Sequence, residues 1–339
     1  MALRTTVVGS WWTRTEDEAA LHRYHRGQLT AEQGEEVLKR CAGQAIKEQM
    51  ELGLREWTGG EYFTDVFINH LQKVLTGVEL DRPSADPIFD YDDLGHARIV
   101  GQIDAPEGLG YAAAYRRESQ LPGGVTKATV VGPFEISIHA QDQRDELLRQ
   151  LPNLIRIVNR EMRELAAAGC THIQLDVPTL GCYVNMGLMS VDQAADIIAP
   201  CFEDINGGIR AIHMCNGNNR GRPRSGVLRN ASWVPILQRL EGVVDLANLE
   251  CSYFSEYLER DAFKDLPQSM ELAAGIVDEA NYWPEPVAKI RARAEDWARV
   301  VGEERLWISP SCGFGRHPAH DRDVLRTKME HMVEAAATL

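Results

Sequence analysis

Four residues of this 339-residue chain have the types and spacing to hold one soft metal ion: His213, Cys215, Glu250 and Cys312. His213 and Cys215 stand two apart in Ile212-His213-Met214-Cys215. On an extended strand, positions i and i+2 point to the same side. Glu250 ends the run Leu246-Ala247-Asn248-Leu249-Glu250, and Cys312 sits in Pro310-Ser311-Cys312-Gly313. One imidazole, one carboxylate and two thiols make a donor set that Zn2+ accepts in tetrahedral geometry. A lone His-x-Cys is weak, because buried Cys is commonly just a small hydrophobe. Four donors at the ends of successive apolar runs weigh more. Cys251 is the alternative to Glu250; strand alternation lets only one of them face inward, and Glu250 is favoured.

These donors need a scaffold that brings distant positions together. Short β-branched runs at residues 5–9, 54–58, 127–132, 172–177, 210–215, 244–250, 272–278 and 306–309 alternate with longer helical stretches. The helical stretches include residues 31–52, 143–168, 191–205, 284–301 and 321–338. Such alternation predicts an α/β protein with a parallel sheet. Eight units fit a (β/α)8 TIM-type barrel over residues 1–339 as a single domain, with a doubly wound open sheet as the alternative. Residues 78–117 are turn-rich and read as an excursion off the barrel. Ser10, Glu61, Asp176, His213, Cys215, Glu250, Asp278 and Cys312 all fall at or just beyond strand C-termini. In a parallel barrel that is one face, where active sites are built.

Composition narrows the partners. The net charge of −14 repels phosphate backbones and anionic lipid, which argues against nucleic acid and membrane. No apolar run is long enough for a transmembrane helix, and the N-terminus lacks a secretory signal. Seven cysteines, an odd number, point to a reducing cytoplasm with free thiols. No Gly-x-Gly-x-x-Gly, Walker A or Gly-x-Ser-x-Gly sequence supports a dinucleotide, nucleotide or hydrolase reading.

Taken in order, the motifs resemble the catalytic half of cobalamin-independent methionine synthase. That family lies within a barrel superfamily with uroporphyrinogen decarboxylase and epoxyalkane:coenzyme M transferase. The resemblance rests on Val8-Gly9-Ser10, Gly59-Gly60-Glu61, Gly132-Pro133, Ile173-Gln174-Leu175-Asp176-Val177-Pro178, His213-Met214-Cys215, Leu249-Glu250, Leu306 to Gly313, and the ending Met329-Glu330-His331-Met332-Val333-Glu334-Ala335-Ala336. It implies that His213, Cys215, Glu250 and Cys312 bind zinc. It implies too that Ser10, Glu61 and Asp176 hold the amino acid part of homocysteine. Two carboxylates suit an ammonium group, and a hydroxyl suits a carboxylate. The plainer alternatives are a helix cap for Ser10 and a solvated loop charge for Glu61.

The departures lie on the donor side. Asp176-Val177-Pro178 stands where the family commonly has Asp-Glu-Pro, and a folate-side glutamate gives way to residues near Cys182. His139 or a neighbour takes the place of an aromatic platform. The family's catalytic His is absent from Val277-Asp278-Glu279-Ala280. His139, Asp278 and Glu279 are therefore the candidate acids for a leaving nitrogen, with Asp176 as a further catalytic candidate. Trp11, Trp12, Tyr282, Trp283 and Phe314 can pack a flat donor or simply fill the rim. Residues 216–224 form a basic Gly-rich loop, and His317 and His320 more simply begin the last helix.

The expectation is a zinc enzyme that methylates a small-molecule thiol such as homocysteine, from a methylfolate or methylcorrinoid donor. A corrinoid or accessory protein is a conceivable partner. The alternatives are alkylation of another thiol, or by an epoxide-like electrophile, and a non-catalytic zinc- or thiol-binding protein.

Overall fold

Strand residues His172–Asp176 show why this chain builds a sheet with two unlike faces. Ile173 and Leu175 join the main apolar cluster, while His172, Gln174 and Asp176 alternate onto the opposite face. The computed structural model describes residues 2–64, 71–80, 97–138, 144–178, 180–215, 218–219, 222–223, 232–252, 260–315 and 322–339. Its strands are β1 Arg4–Thr5, β2 Thr76–Leu80, β3 Ala97–Asp104, β4 Ala128–Val131, β5 His172–Asp176, β6 Ile209–Met214, β7 Asn218–Asn219, β8 Arg222–Pro223, β9 Leu246–Glu250, β10 Glu271–Val277 and β11 Leu306–Pro310. Its helices are α1 Thr15–His25, α2 Ala31–Glu51, α3 Leu71–Val74, α4 Tyr111–Glu118, α5 Pro133–Ile138, α6 Arg144–Ala167, α7 Leu180–Asn185, α8 Val191–Ile198, α9 Trp233–Arg239, α10 Val287–Val301 and α11 Arg322–Ala337.

One seven-stranded sheet runs in the order β1-β11-β10-β9-β6-β5-β4, and every pairing in it is parallel. Parallel neighbours need crossovers, and helices supply them. Helix α6 lies between β4 and β5, α8 between β5 and β6, α9 between β6 and β9, and α10 between β10 and β11. Val130, Ile173, Leu175, Ile212, Leu249, Ile276 and Ile308 belong to the main apolar cluster, which also holds helix residues such as Leu154, Ile198, Ile236 and Ile290. The opposite face has a small apolar plug of Ala211, Leu246, Ala273 and Trp307. Around that plug the face is polar, unlike the branched apolar layers usual inside closed eight-stranded parallel barrels; the sheet here has seven strands.

Two expected strands differ. Residues 54–58 form no regular strand. Instead Arg55 and Glu56 donate backbone N–H to Thr5 O, while Thr126 and Lys127 donate to Trp57 O, all at 3.2 Å. The segment thereby joins β1 to the start of β4. Its ladder breaks where the Thr126 hydroxyl accepts the Trp57 N–H at 2.9 Å. The strand expected at 5–9 stops at Thr5 for a related reason. Lys127 Nζ donates to Val7 O at 2.5 Å, Gln174 Nε2 to Val8 O at 3.0 Å, and Thr58 Oγ1 to Gly9 O at 2.5 Å. Side chains take the carbonyls that a ladder would use.

The excursion is a separate antiparallel hairpin of β2 and β3, followed by α4. Helix α8 ends before residue 205, because the next turn contains Pro200 and is a 3-10 turn, Ala199–Phe202. Among the described residues, no helix is long and apolar enough to cross a membrane.

Candidate metal centre and its surroundings

His213 ends the inward row of β6, and Cys215 follows just beyond the strand. Cys312 follows β11 in the same way. Ligand atoms of His213, Cys215 and Cys312 all lie within 4.8 Å of one another, with the two sulfurs 3.9 Å apart. The His213 ring is almost wholly buried. Its Nδ1 lies 3.0 Å from Asn248 O, so Nδ1 is the protonated nitrogen that donates there. Nε2 is buried without a hydrogen-bond partner among the described residues. Burial, then the nearby Lys127 ammonium, pushes the imidazole down to about 3, so the ring is neutral. A neutral imidazole, oriented through Nδ1 with Nε2 left over, is the usual form of a metal-binding histidine. The residues present therefore fit a thiophilic cation such as Zn2+.

Glu250 is buried at the end of β9, and its charge is felt at both Glu279 and Cys312. Cys251 instead belongs to the main apolar cluster, and burial raises its thiol pKa. The two residues thus lie on opposite faces, and Glu250 is not among the three residues whose ligand atoms lie within 4.8 Å of one another. Glu279 lies on the side of Glu250. It is fully buried, accepts a hydrogen bond from the Ser311 hydroxyl, and is pushed up to about 8 by burial, then by Glu250 and Asp278. Asp278 is turned elsewhere: its Oδ1 accepts the Ala280 N–H at 2.9 Å, and its own N–H donates to Glu285 at 3.0 Å. His139 lies outside the described residues, as do His317 and His320.

Ser10 reaches the same rim. Its hydroxyl accepts the Gly315 N–H at 3.0 Å, and a Cβ on Gly313 would stand 2.2 Å from that oxygen. Only glycine beside Cys312 allows this approach. Glu61 adopts φ 63°, a left-handed backbone uncommon outside glycine, and accepts from Thr129 Oγ1 at 2.8 Å. A Cβ on Gly9 would lie 2.0 Å from Glu61 Oε1, so Gly9 makes the space for this carboxylate. Asp176 pairs in register with His213 on the neighbouring strand. Burial, then the charge of Glu61, holds its carboxyl well above the usual range.

Some important groups carry no motif. Lys127 is buried among Asp176, Glu56 and Glu61, and burial pulls its ammonium down to about 8. Glu118 is buried beside Glu61 and is pushed up to about 8 by burial and then by that charge. Glu61, Glu118, Lys127 and Thr129 line one cavity with Tyr111 and Tyr115. Gln174 and Asn248 are fully buried on the polar face. Their signal was the period-two spacing Gln174-x-Asp176 and Asn248-x-Glu250, in strands that must be buried on both faces.

The aromatic groups divide. Trp11 and Trp12 stack at 3.8 Å with Phe314 edge-on to both, and the Trp11 indole donates to Glu48 at 3.0 Å. That trio is interior packing. Tyr282 and Trp283 are 60% and 76% exposed in the loop after β10. In the basic loop, β7 and β8 pair as a short hairpin; residues 216–217, 220–221 and 224 lie outside the described residues.

A parallel α/β sheet with His and Cys side chains gathered at its strand C-termini defines an α/β protein with a candidate metal site at that edge. The chain belongs to the family described as cobalamin-independent synthase, catalytic domain, which matches residues 3–218 and 228–338. It is 24% identical over 345 residues to the 5-methyltetrahydropteroyltriglutamate–homocysteine methyltransferase of Nitratidesulfovibrio vulgaris, covering 98% of this chain and 41% of that protein. It is 22% identical over 349 residues to the methionine synthase of Sulfolobus acidocaldarius, covering 98% and 91%. The chain thus spans well under half of the first relative and most of the second. In fold it is similar to a B12-independent methionine synthase from Shewanella sp. W3-18-1, solved in complex with selenomethionine. The TM-score is 0.75 at 19% identity, over 100% of this chain and 97% of that one.

Proposed function

We propose that this protein is a zinc-dependent S-methyltransferase that converts homocysteine to methionine. The observation behind this reading is the meeting of His213, Cys215 and Cys312, with His213 Nε2 left without a hydrogen-bond partner among the described residues. The relatives' names, which specify homocysteine methyl transfer and methionine synthesis, support it. Glu250 is the fourth protein donor in this reading, and Glu279 is the buried carboxyl next to it. The backbone links through residues 54–58 support closure of the sheet as an eight-unit barrel of a single domain.

Bound zinc would supply positive charge that favours the thiolate over a thiol of ordinary pKa near 8.5. The chain's own residues do the rest. Glu61 and Asp176 receive the substrate ammonium, and the Ser10 hydroxyl receives its carboxylate. Glu279 is the acid for the leaving nitrogen: a fully buried carboxyl, whose pKa burial raises, can hold a proton and give it up. Asp278 is a less direct candidate, because its carboxylate caps its own turn. The relatives' names favour a pteroyl methyl donor and lend no support to a corrinoid partner protein. A different alkyl donor is the second reading. It is favoured by Val177, an apolar, buried side chain where the family carries a donor-side carboxylate. No disulfide joins the cysteines of the described residues, in keeping with a reducing cytoplasm.

The test is methyl transfer to homocysteine from 5-methyltetrahydrofolate, its triglutamate and methylcobalamin. We expect methionine from a folate donor. Cys215→Ser and Cys312→Ser should each lose most of the roughly one zinc per chain and at least about a hundredfold in activity. Full zinc in both variants, or no methionine from any donor, contradicts the proposal.

A further inference from the structure

Gln174 lies at the centre of the polar face, fully buried. Its Nε2 donates to Asp176 Oδ1 at 2.7 Å and to Val8 O at 3.0 Å. Its Oε1 accepts from Asn248 Nδ2 at 3.2 Å. Asn248 is held in turn, because its Oδ1 accepts from Ser309 Oγ at 2.9 Å. A primary amide has two N–H donors, and both are committed here to acceptors. Turning the amide over would set its oxygen against Asp176 and Val8 O, and its nitrogen against the Asn248 N–H. The surroundings therefore allow one orientation.

We propose that Gln174 is a positioning residue, which aims the Asp176 carboxylate at the ammonium group of the thiol substrate. This rests on the reading of Asp176 as an ammonium ligand. The contact uses Oδ1, and no hydrogen bond among the described residues reaches Oδ2. Asp176 sits beside His213 in register, so its direction matters relative to the sulfur site. The same chain of amides continues to Asn248, whose backbone carbonyl orients the His213 ring. Gln174 thus ties the ammonium end of the substrate site to its sulfur end. It also ties both to Val8, two residues before Ser10. Specificity for an amino acid thiol over a plain carboxylic thiol follows from this arrangement. A buried site built to pair with an ammonium rejects a substrate that lacks one.

The experiment measures binding of two thiols to the purified, metal-containing full chain by titration calorimetry. One is homocysteine; the other is 4-mercaptobutanoate, identical except for the missing amino group. The unaltered protein should prefer homocysteine. Gln174→Ala should weaken homocysteine roughly tenfold to a hundredfold, as for a lost hydrogen bond to a charged group. It should weaken 4-mercaptobutanoate by a markedly smaller factor, because that thiol shares only the sulfur end of the site. Gln174→Met keeps the side-chain length but has no donor for Asp176, and should behave alike; it also serves if the alanine variant folds poorly. Equal weakening of both thiols would show a merely structural role and overturn the proposal. So would an undiminished preference for homocysteine in both variants. If the unaltered protein itself shows no preference, the ammonium reading of Asp176 fails, and this inference fails with it.

Discussion

Glu118 shows what burial does to a single carboxyl group. Its folded-state value of about 8 lies above its ordinary 4.5. Between those values the folded chain holds a proton that the unfolded chain has released. Stability from this group is therefore complete below about 4.5 and is lost as pH rises through 8. The shift corresponds to an order of several kcal/mol. Glu118→Gln keeps an acceptor for the Gly59 N–H but removes the titration. Denaturant melts from pH 5 to pH 9 should show the variant gaining on the unaltered protein as pH rises. A constant gap across that range would contradict the assignment. Individual residues were unevenly legible. The candidate metal donors stood out because His and Cys are scarce and fall at the ends of successive apolar runs. Lys127 and Glu118 did not, because a charged residue in a sequence gives no sign of being buried. Glu61 was legible as a carboxylate but not as a left-handed backbone, since Gly59-Gly60 reads simply as a turn.

Elements fix where those residues end up. The loop after β10 holds Glu279 toward Glu250 because its other residues are anchored behind it. Glu285 accepts from Arg293 at 3.2 Å and Lys328 at 3.3 Å, and Lys328 also donates to Asp278 O at 2.6 Å. Lys328 and Glu285 are both buried. Removing one member of a buried charge group leaves the rest uncompensated, at a cost of about 3–5 kcal/mol. Lys328→Met should lower the unfolding free energy by about that much, read from urea melts. A change under about 1 kcal/mol would show that the anchor is not needed. Strands β5, β6, β9, β10 and β11 were legible within a residue or two, because buried parallel strands read as apolar runs with turns between. Residues 6–9 and 54–58 were not, because their hydrogen bonds go to Lys127, Gln174, Thr58 and Thr126 side chains from elsewhere in the chain. No local pattern announces a partner 49 to 166 residues away. Helix α1 is not among the helical stretches read from the sequence, although its first turn carries the acidic residues Glu16, Asp17 and Glu18 that favour a helix start.

For the whole molecule, the account is one of convergence. Parallel strands bring their C-termini to one edge, so donors separated by up to a hundred residues meet within 4.8 Å. That edge was legible as soon as strand–helix alternation was recognised, since the position of each donor relative to its strand follows from sequence alone. The polar inner face of the sheet was harder to foresee, because the inner faces of parallel barrels are usually filled with branched apolar layers. Here Gln174, Asn248 and Ser309 replace part of that filling and link the two ends of the proposed substrate site. X-ray absorption at the zinc edge, without and with homocysteine, tests the central claim directly. The account predicts a shell containing the two cysteine sulfurs and one imidazole nitrogen, with oxygen completing it and a third sulfur replacing oxygen on addition of homocysteine. A shell without cysteine sulfur, or one unchanged by the thiol, would contradict it.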